Sequence, residues 1–332
     1  MEMTTYQAVF AVLLIFFLGD LVGALTKAKI SSMFVIMMGF LVLFMTGIYP
    51  DNVMEISGFA GVASLGQYFL LFNMGTSVDI PTLKREWRTV LCATVGMAAA
   101  ILGCVVVIPL IGKEYSMAAA PVVNGGIVAT TTTMVQACED LGLDTAAALA
   151  TFVYAVQKFV GTLPASNCGL SVAKDLVADL RAKHAADPDY SWYKEMAGNS
   201  AGDKKALFWE KYKKYYTTFI CLAIAAAMML LASILGDLCQ GWVNMSIWCM
   251  VLGIICRNTG LVPSNLLRDY AKANGFFSFL SLCTIIPSLA KVDWAQLPVI
   301  GFKAVVIFVA VVIFTFIVFY LTPAWKIVGS KN

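Results

Sequence analysis

Long apolar segments recur through this chain, and they constrain its fold more than any other feature. About nine of them approach the 20 or so residues that a helix needs to cross a bilayer, at 7–26, 31–49, 57–77, 88–112, 143–168, 214–236, 241–260, 270–290 and 297–322. Hydrophobic residues make up 60% of the chain and charged residues only 13%, which lies outside the range of soluble domains. The sequence therefore predicts an all-α polytopic membrane protein.

Lysine and arginine residues fall almost entirely on one side of the predicted membrane. That side holds 27–29, 84–88, 174–214, 268–272 and 326–331. The opposite side has little beyond Lys113, Lys291 and Lys303. Because loops rich in Lys and Arg remain in the cytoplasm, the pattern places the N-terminus outside.

Short sequence matches indicate an internal repeat. At an offset of about 214 residues the pairs are Leu18-Gly19-Asp20 with Leu235-Gly236-Asp237, Gly39 with Gly253, Thr46–Asn52 with Thr259–Asn265, and Val78-Asp79 with Val292-Asp293. The first unit holds five spans, an odd number, so the second unit starts on the opposite side and the repeats are inverted. Inverted repeats place substrate and ion sites near the bilayer midplane, where discontinuous helices meet.

Three regions follow from the repeat. Residues 1–173 form the first repeat, 174–213 a polar cytoplasmic connector, and 214–332 the second repeat. The second repeat lacks the counterpart of a hairpin at 117–140 and of the last helix. We expect that the chain is truncated; completion by a partner or second copy, and a degenerate protein, are the alternatives.

The segment 117–140 is predicted to form a re-entrant hairpin between the fourth and fifth spans, because it is too polar for a spanning helix and too apolar for a surface loop. Asn124, Gly125 and Gly126 are expected to break the helix there, since glycine loses most backbone freedom in a helix. Backbone N–H groups at such a turn can bind a carboxylate. These three are predicted substrate-binding residues; the alternative is a glycine kink that serves helix packing.

A run of hydroxyl groups follows this apex. We predict that it binds a sodium ion through the side chains of Thr130, Thr131, Thr132 and Thr133. The alternative is the usual hydrogen bond of a helical hydroxyl to the carbonyl four residues back. No other metal and no organic cofactor is predicted.

Lys158 lies in the middle of an apolar segment, where a charge costs at least about 2.5 kcal/mol on insertion scales. We expect it to bind a substrate carboxylate or to take the place of a sodium ion as a fixed cation. The alternative is a structural lysine paired with Asn73 or Asp79. Asn73, near the end of the third span, is itself a predicted substrate contact, with a helix cap as its alternative.

Three segments together resemble the bacterial sodium/glutamate symporter family: FLLFNMGTSVDIPTLKREWRTVL at 69–91, NGG at 124–126 and AALATFVYAVQKFVGTLPASNCGLSVAKDL at 147–176. The resemblance covers roughly residues 7–330. It implies two inverted five-helix repeats, each with a glycine-rich re-entrant loop between its fourth and fifth helices. Gly125 and Gly126 match the paired glycines of the family, while Ile127, Val128 and Ala129 replace its histidine and further glycines. Malonate and ketodeoxygluconate carriers are alternative relatives.

The function predicted from these features is a symporter, a secondary active transporter of a small carboxylate such as glutamate or a similar organic acid. The resemblance implies sodium coupling, alternating access, a homodimer and a place in the bacterial inner membrane. The alternative is a non-transporting membrane sensor or one subunit of a split carrier.

Enzymatic chemistry is not predicted. The sequence has no HExxH, nucleophile elbow or P-loop, and no His lies in a predicted span. The nine cysteines are scattered without a CxxC pair and are expected to serve packing. No nucleic-acid partner is predicted.

Overall fold

A computed structural model describes residues 3–27, 30–128, 134–186, 208–239, 242–292 and 294–321. Within these ranges the chain is helical, without a strand. The helices are α1 Thr5–Leu25, α2 Ser32–Met45, α3 Val53–Ile56, α4 Phe59–Ser77, α5 Ile80–Arg85, α6 Trp87–Val106, α7 Ile108–Ile111, α8 Lys113–Val128, α9 Gln136–Asp140, α10 Asp144–Ala186, α11 Phe208–Lys211, α12 Thr218–Leu238, α13 Met245–Asn258, α14 Asn274–Cys283, α15 Ile286–Ala290 and α16 Leu297–Phe316. π-Helical turns cover Leu266–Tyr270 and Ile317–Leu321.

Four of the described helices are long and apolar enough to cross a membrane, namely α1, α6, α12 and α16 with its extension to Phe319. The apolar helices α2 and α13 and the pair α14–α15 are shorter. Large apolar side chains on the long helices point outwards, as Phe10, Leu230 and Phe302 do, and lipid is the solvent that suits such a surface. The fold is that of an all-α membrane protein. Each predicted apolar segment contains a helix, although only these four helices are both long enough and apolar enough to cross a membrane.

The helices start where local chemistry favours a start. Thr4 caps α1 and forms a capping box with Gln7, which satisfies N–H groups that lack a partner within the helix. Asn244 caps α13 by accepting the Ser246 N–H at 2.9 Å. Asp79 caps α5 through Thr82. These caps place the helix starts within a few residues of the apolar segment boundaries.

Helix α10 is longer than its predicted span. It runs without interruption from Asp144 to Ala186, through Pro164, over 43 residues. At 1.5 Å per residue it measures about 64 Å, roughly twice the thickness of the hydrocarbon core. The first part of the predicted connector, 174–186, is therefore a helical continuation of α10.

Helix lengths recur in the two halves of the chain. Helices α1 and α12 both have 21 residues, α2 and α13 both have 14, and α6 and α16 both have 20. The paired starts lie at 5 and 218, 32 and 245, and 87 and 297, so the offsets are 213, 213 and 210. The Leu18-Gly19-Asp20 match is displaced from this register, because Leu235 lies 217 residues after Leu18, one helical turn further along.

Packing between the halves is also reciprocal. Helix α1 packs on α2 as α12 packs on α13, and α6 and α16 pack on each other. Helix α4 crosses α13 and α14, while α15 lies against α2. Small residues allow the closest crossings: Gly75 meets Gly253 where α4 crosses α13, and Gly103 meets the backbone of Ala310 in α16. Close backbone approach at glycine is typical of helix packing in membranes.

Candidate functional site

Helix α8 is discontinuous at the predicted apex. The residues up to Gly125 are helical, whereas Gly126 has φ 63° and ψ −141°, outside the helical region. This conformation is almost restricted to glycine, and in the described part of the chain no atom beyond its neighbours lies within 4 Å of the position that a Cβ would take at Gly126. The Asn124 Nδ2 donates to the Ala120 carbonyl at 3.0 Å, which stabilises the last turn before the break. The predicted break is confirmed, and it lies at Gly126.

The segment around this break leaves and returns to the same end of the helix bundle. Glu114 and Tyr115, at the start of α8, line a cavity of about 330 Å3 together with 142–146, which precede and begin α10. The return passes through α9, which packs on α10, and a turn at Gly142 with φ 70°. The described limbs 113–128 and 134–143 therefore begin and end beside the same cavity, and the break at Gly126 lies between these two ends.

Lys291 connects the hairpin to the second half of the chain at this cavity. Its Nζ lies 2.9 Å from the Asp144 Oδ1 and 3.1 Å from the Glu139 Oε1. The hydrogen bond that Lys291 donates to Asp144 raises the pKa of the Lys291 ammonium, against an opposing effect of desolvation. The hydrogen bond that Lys291 donates to Glu139 and the charges of both carboxylates also raise it. Nearby, the Lys303 Nζ lies 3.0 Å from the centroid of the Tyr115 ring, a cation–π contact. Two lysines of the second half thus hold the two ends of the hairpin.

Asn73 lies in a different interface, between α4 and the second half. Its Oδ1 accepts the Leu267 N–H at 2.8 Å, and its Nδ2 donates to the Asn274 Oδ1 at 3.3 Å. Helix α8, by contrast, packs on α6 and α10. The structure therefore gives Asn73 structural partners and does not bring it to the hairpin.

A second asparagine, Asn258 of α13, binds the chain between α4 and α5. Asn258 donates to the Val78 carbonyl at 3.1 Å and accepts the Ile80 N–H at 2.9 Å, so it secures the chain between α4 and α5. Next to it, the hydrogen bond that the Thr82 hydroxyl donates to the Asp79 carboxylate lowers the pKa of Asp79. The Thr82 N–H and the charge of Arg257 lower this pKa by smaller amounts. The chain between α4 and α5 is thus held by the amide of Asn258 and the helix cap of Asp79, whereas the residues around the cavity are held by the ion pairs of Lys291.

The remaining predicted site residues are only partly described. Thr130, Thr131, Thr132 and Thr133 lie outside the described residues. The backbone of Lys158 belongs to α10, which packs on α8, but its side chain is outside what the structure describes. The helix that contains the break at Gly126 thus packs on the helix that carries Lys158, whereas Asn73 bonds to Leu267 and Asn274.

Sequence analysis overlooked a group of buried hydroxyls where α14 ends and α15 begins. Ser281 is fully buried, and neither its Oγ nor the Thr284 Oγ1 has a hydrogen-bond partner in the described part of the chain. One turn further, the Ser288 Oγ lies 2.7 Å from the Thr151 Oγ1 of α10. Pro287 has no N–H, so it cannot donate the helical hydrogen bond to the Cys283 carbonyl. The signal in the sequence was the spacing of three hydroxyl residues on one helical face, next to a proline.

Comparison with known proteins adds no relative, because no protein-family model, curated protein or solved structure matches the chain. The resemblance to sodium/glutamate symporters rests on the quoted segments and stays a prediction. The candidate site is accordingly argued from its own geometry.

Proposed function

We propose that this protein is a secondary active transporter, a sodium-coupled symporter of a small carboxylate such as glutamate or a similar organic acid. One observation carries the proposal, the break of α8 at Gly126 within a segment whose two ends line one cavity. In a membrane protein, irregular backbone at depth is tolerated only where it is buried in protein or lines a wet cavity. A membrane protein that only spans and packs has no need of such a segment.

The break supplies the chemistry for anion binding. Gly126 leaves helical geometry, which interrupts the regular pattern of helical hydrogen bonds, and in this proposal backbone N–H groups at the interruption face a carboxylate ligand. Converging N–H groups favour carboxylates. In this proposal Asn124 and Gly125 contribute to the same turn, and Lys158 of the adjacent α10 supplies the positive charge.

The recurrence of helix lengths and the reciprocal packing support two repeats of inverted orientation. In such transporters the two halves rock around a site at the midplane. The exchange of contacts, with α4 on α13 and α15 on α2, gives each half an element embedded in the other. Polar contacts also join residues that are distant in sequence but predicted to lie on the same side of the membrane. Asn258 bonds to Val78 on the predicted cytoplasmic side, and Lys291 pairs with Asp144 on the predicted outer side.

The proposal also includes a homodimer and a bacterial inner-membrane location with the N-terminus outside. The family resemblance implies the first, and the distribution of Lys and Arg indicates the orientation. Exposed apolar surface on the long helices is available both to lipid and to a second copy.

Counterflow in proteoliposomes tests the function. Vesicles loaded with glutamate, aspartate, malonate, citrate or a sugar acid should take up the labelled acid in sodium and not in potassium. Gly125→Ala adds a methyl group at a helical position beside the break and should reduce exchange. Gly126→Ala should abolish it, because that backbone conformation is strained for alanine by about 1–3 kcal/mol.

Gly58→Ala is the matched control, since Gly58 also has a positive φ, 77°, with no atom within 4 Å of an added Cβ, but precedes α4 at a distance from the hairpin in sequence. It carries a comparable backbone strain and should retain exchange. The proposal is rejected if the wild type exchanges none of the acids with either cation, or if Gly126→Ala exchanges as well as Gly58→Ala. The first result would favour a sensor or a subunit of a split carrier.

A further inference from the structure

Two buried hydroxyls at the C-terminal end of α14, Ser281 and the capping residue Thr284, have no hydrogen-bond partner among the described residues, which is costly in a membrane interior. The Ser281 Oγ and the Thr284 Oγ1 are both inaccessible, and among the described residues neither finds a donor or acceptor. A buried unpaired polar group costs about 1–3 kcal/mol. Helical serine and threonine usually avoid this cost by bonding to the carbonyl three or four residues back, as Thr151 and Ser288 do. Ser281 and Thr284 do not.

Their position is central in the molecule. The pair α14–α15 runs over Asn274–Ala290, about 25 Å at 1.5 Å per residue, and Ser281 lies near its middle. Helix α4 crosses at this level: a Cβ added to Gly66 would lie 2.6 Å from the Leu280 Cβ and 3.0 Å from the Ser281 nitrogen. Because the backbones approach so closely, this crossing has no space for another side chain to reach Ser281 from α4.

A third oxygen adjoins the two hydroxyls. Pro287 removes the N–H that would bond the Cys283 carbonyl in a continuous helix, and α14 ends at Cys283. Ser281, Thr284 and the Cys283 carbonyl thus lie within one turn of the chain. Each of these three groups offers a neutral oxygen atom as a possible cation ligand. Among the described residues no group of three or more His, Cys, Asp or Glu is placed to hold a metal ion, and neutral oxygens beside interrupted helices suit a monovalent hard cation.

We propose that Ser281, Thr284 and the Cys283 carbonyl form a sodium site at the interruption between α14 and α15. Its role as the coupling-ion site rests on the proposed transport function, but the binding itself does not. The site lies in the second half of the chain, whereas Thr130–Thr133 belong to the first half of the sequence. It adjoins α4, whose crossing with α14 joins the two halves. Cation binding there would order the interruption and hold the two halves in one arrangement.

The test is sodium-dependent thermal stability of the purified protein in detergent, with potassium or choline keeping the ionic strength constant. The wild type should melt at a higher temperature as sodium is added, from which an apparent Kd follows. Ser281→Ala and Thr284→Val should each raise that Kd at least tenfold. Ser246→Ala is the matched control, because its Oγ is also buried without a partner but lies at the start of α13; its Kd should equal that of the wild type.

Binding of labelled sodium to the same preparations keeps the proposal testable if a variant melts early. Equal stabilisation by sodium, potassium and choline would mean that water alone fills the site, and would overturn the proposal. So would an unchanged sodium Kd in both variants. If counterflow fails while sodium binding remains dependent on Ser281, the transport function is wrong and the site stands. If counterflow is sodium-driven but insensitive to both variants, Ser281 and Thr284 do not bind the coupling ion, and the transport function stands.

Discussion

The crossing of α4 and α13 offers a sharp steric prediction. A Cβ added to Gly253 would lie 2.5 Å from the Phe72 carbonyl oxygen and 2.9 Å from the Gly75 Cα. Ordinary contact begins at 3.4 Å, so Gly253→Ala requires the two backbones to separate locally by about 0.9 Å. The opposing atoms are backbone, which cannot rotate away as a flexible side chain does.

The expected net cost combines two effects. Overpacking of a well-packed contact costs about 1–3 kcal/mol, and alanine in place of glycine gains up to about 1 kcal/mol of helix propensity. With an overpacking cost of about 2 kcal/mol, in the middle of that range, Gly253→Ala should be less stable than the wild type by about 1–2 kcal/mol. At roughly 2–4 °C per kcal/mol for larger domains, its melting temperature should fall by about 2–8 °C.

Thermal unfolding in detergent, followed by tryptophan fluorescence and by loss of the monodisperse chromatographic peak, measures the effect. Gly301→Ala is the control, because Gly301 lies inside α16 with no atom within 4 Å of an added Cβ; it should melt at or slightly above the wild-type temperature. If Gly253→Ala melts together with Gly301→Ala, the helices do not approach as closely as Gly75 and Gly253 indicate, and the steric argument is refuted.

Two further predictions concern the polar contacts at the ends of the bundle. Asn73→Leu removes the acceptor of the buried Leu267 N–H and should destabilise the protein by about 1–3 kcal/mol. Asn73→Asp keeps an acceptor, so its melting temperature should lie between those of Asn73→Leu and the wild type. Equal melting temperatures for Asn73→Leu and the wild type would contradict the structural role of Asn73. Lys291→Met should cost no more than about 1 kcal/mol, because both ion pairs are solvent-exposed. The pKa of Lys291 is raised above 10.5 in the folded protein, so its stabilising contribution is fully present below pH 10.5 and is lost only as the pH rises through the raised pKa. The difference in melting temperature between wild type and Lys291→Met should thus stay constant from about pH 7 to about pH 9, and a difference that vanishes within that interval would show that Lys291 does not hold its proton as the structure requires.

The helices could be predicted from sequence because the signals that form them are local. Apolar runs gave their positions, and residues such as Thr4 and Asn244 provide caps within one turn of each start. The hairpin break was predictable for the same reason, since it depends on the conformational freedom of Gly126 alone. The end of α10 was not, because the polar residues from 174 onwards are also good helix formers and continue the helix to Ala186.

The candidate site was predictable only in part. The paired glycines drew attention to the apex, and Asn73 was grouped with them because it lies near the end of the third span. Its partners Leu267 and Asn274, about 200 residues away in sequence, could not be predicted from that position. The unpaired hydroxyls of Ser281 and Thr284 were not recognised, because serine and threonine are common in membrane helices and normally bond within their own helix.

The sequence by itself determined that this is an all-α membrane protein, roughly where its apolar helices lie, and that α8 breaks close to Gly126. Hydrophobicity and backbone freedom are properties of neighbouring residues, so they can be read along the chain. Only the tertiary structure decided that Lys291 pairs with Glu139 and Asp144, that α4 crosses α13 at two glycines, and that two hydroxyls at the end of α14 are buried without a partner in the described part of the chain. Each of these depends on which helices pack together, and that choice is made by the fit of whole helix surfaces and not by any local stretch.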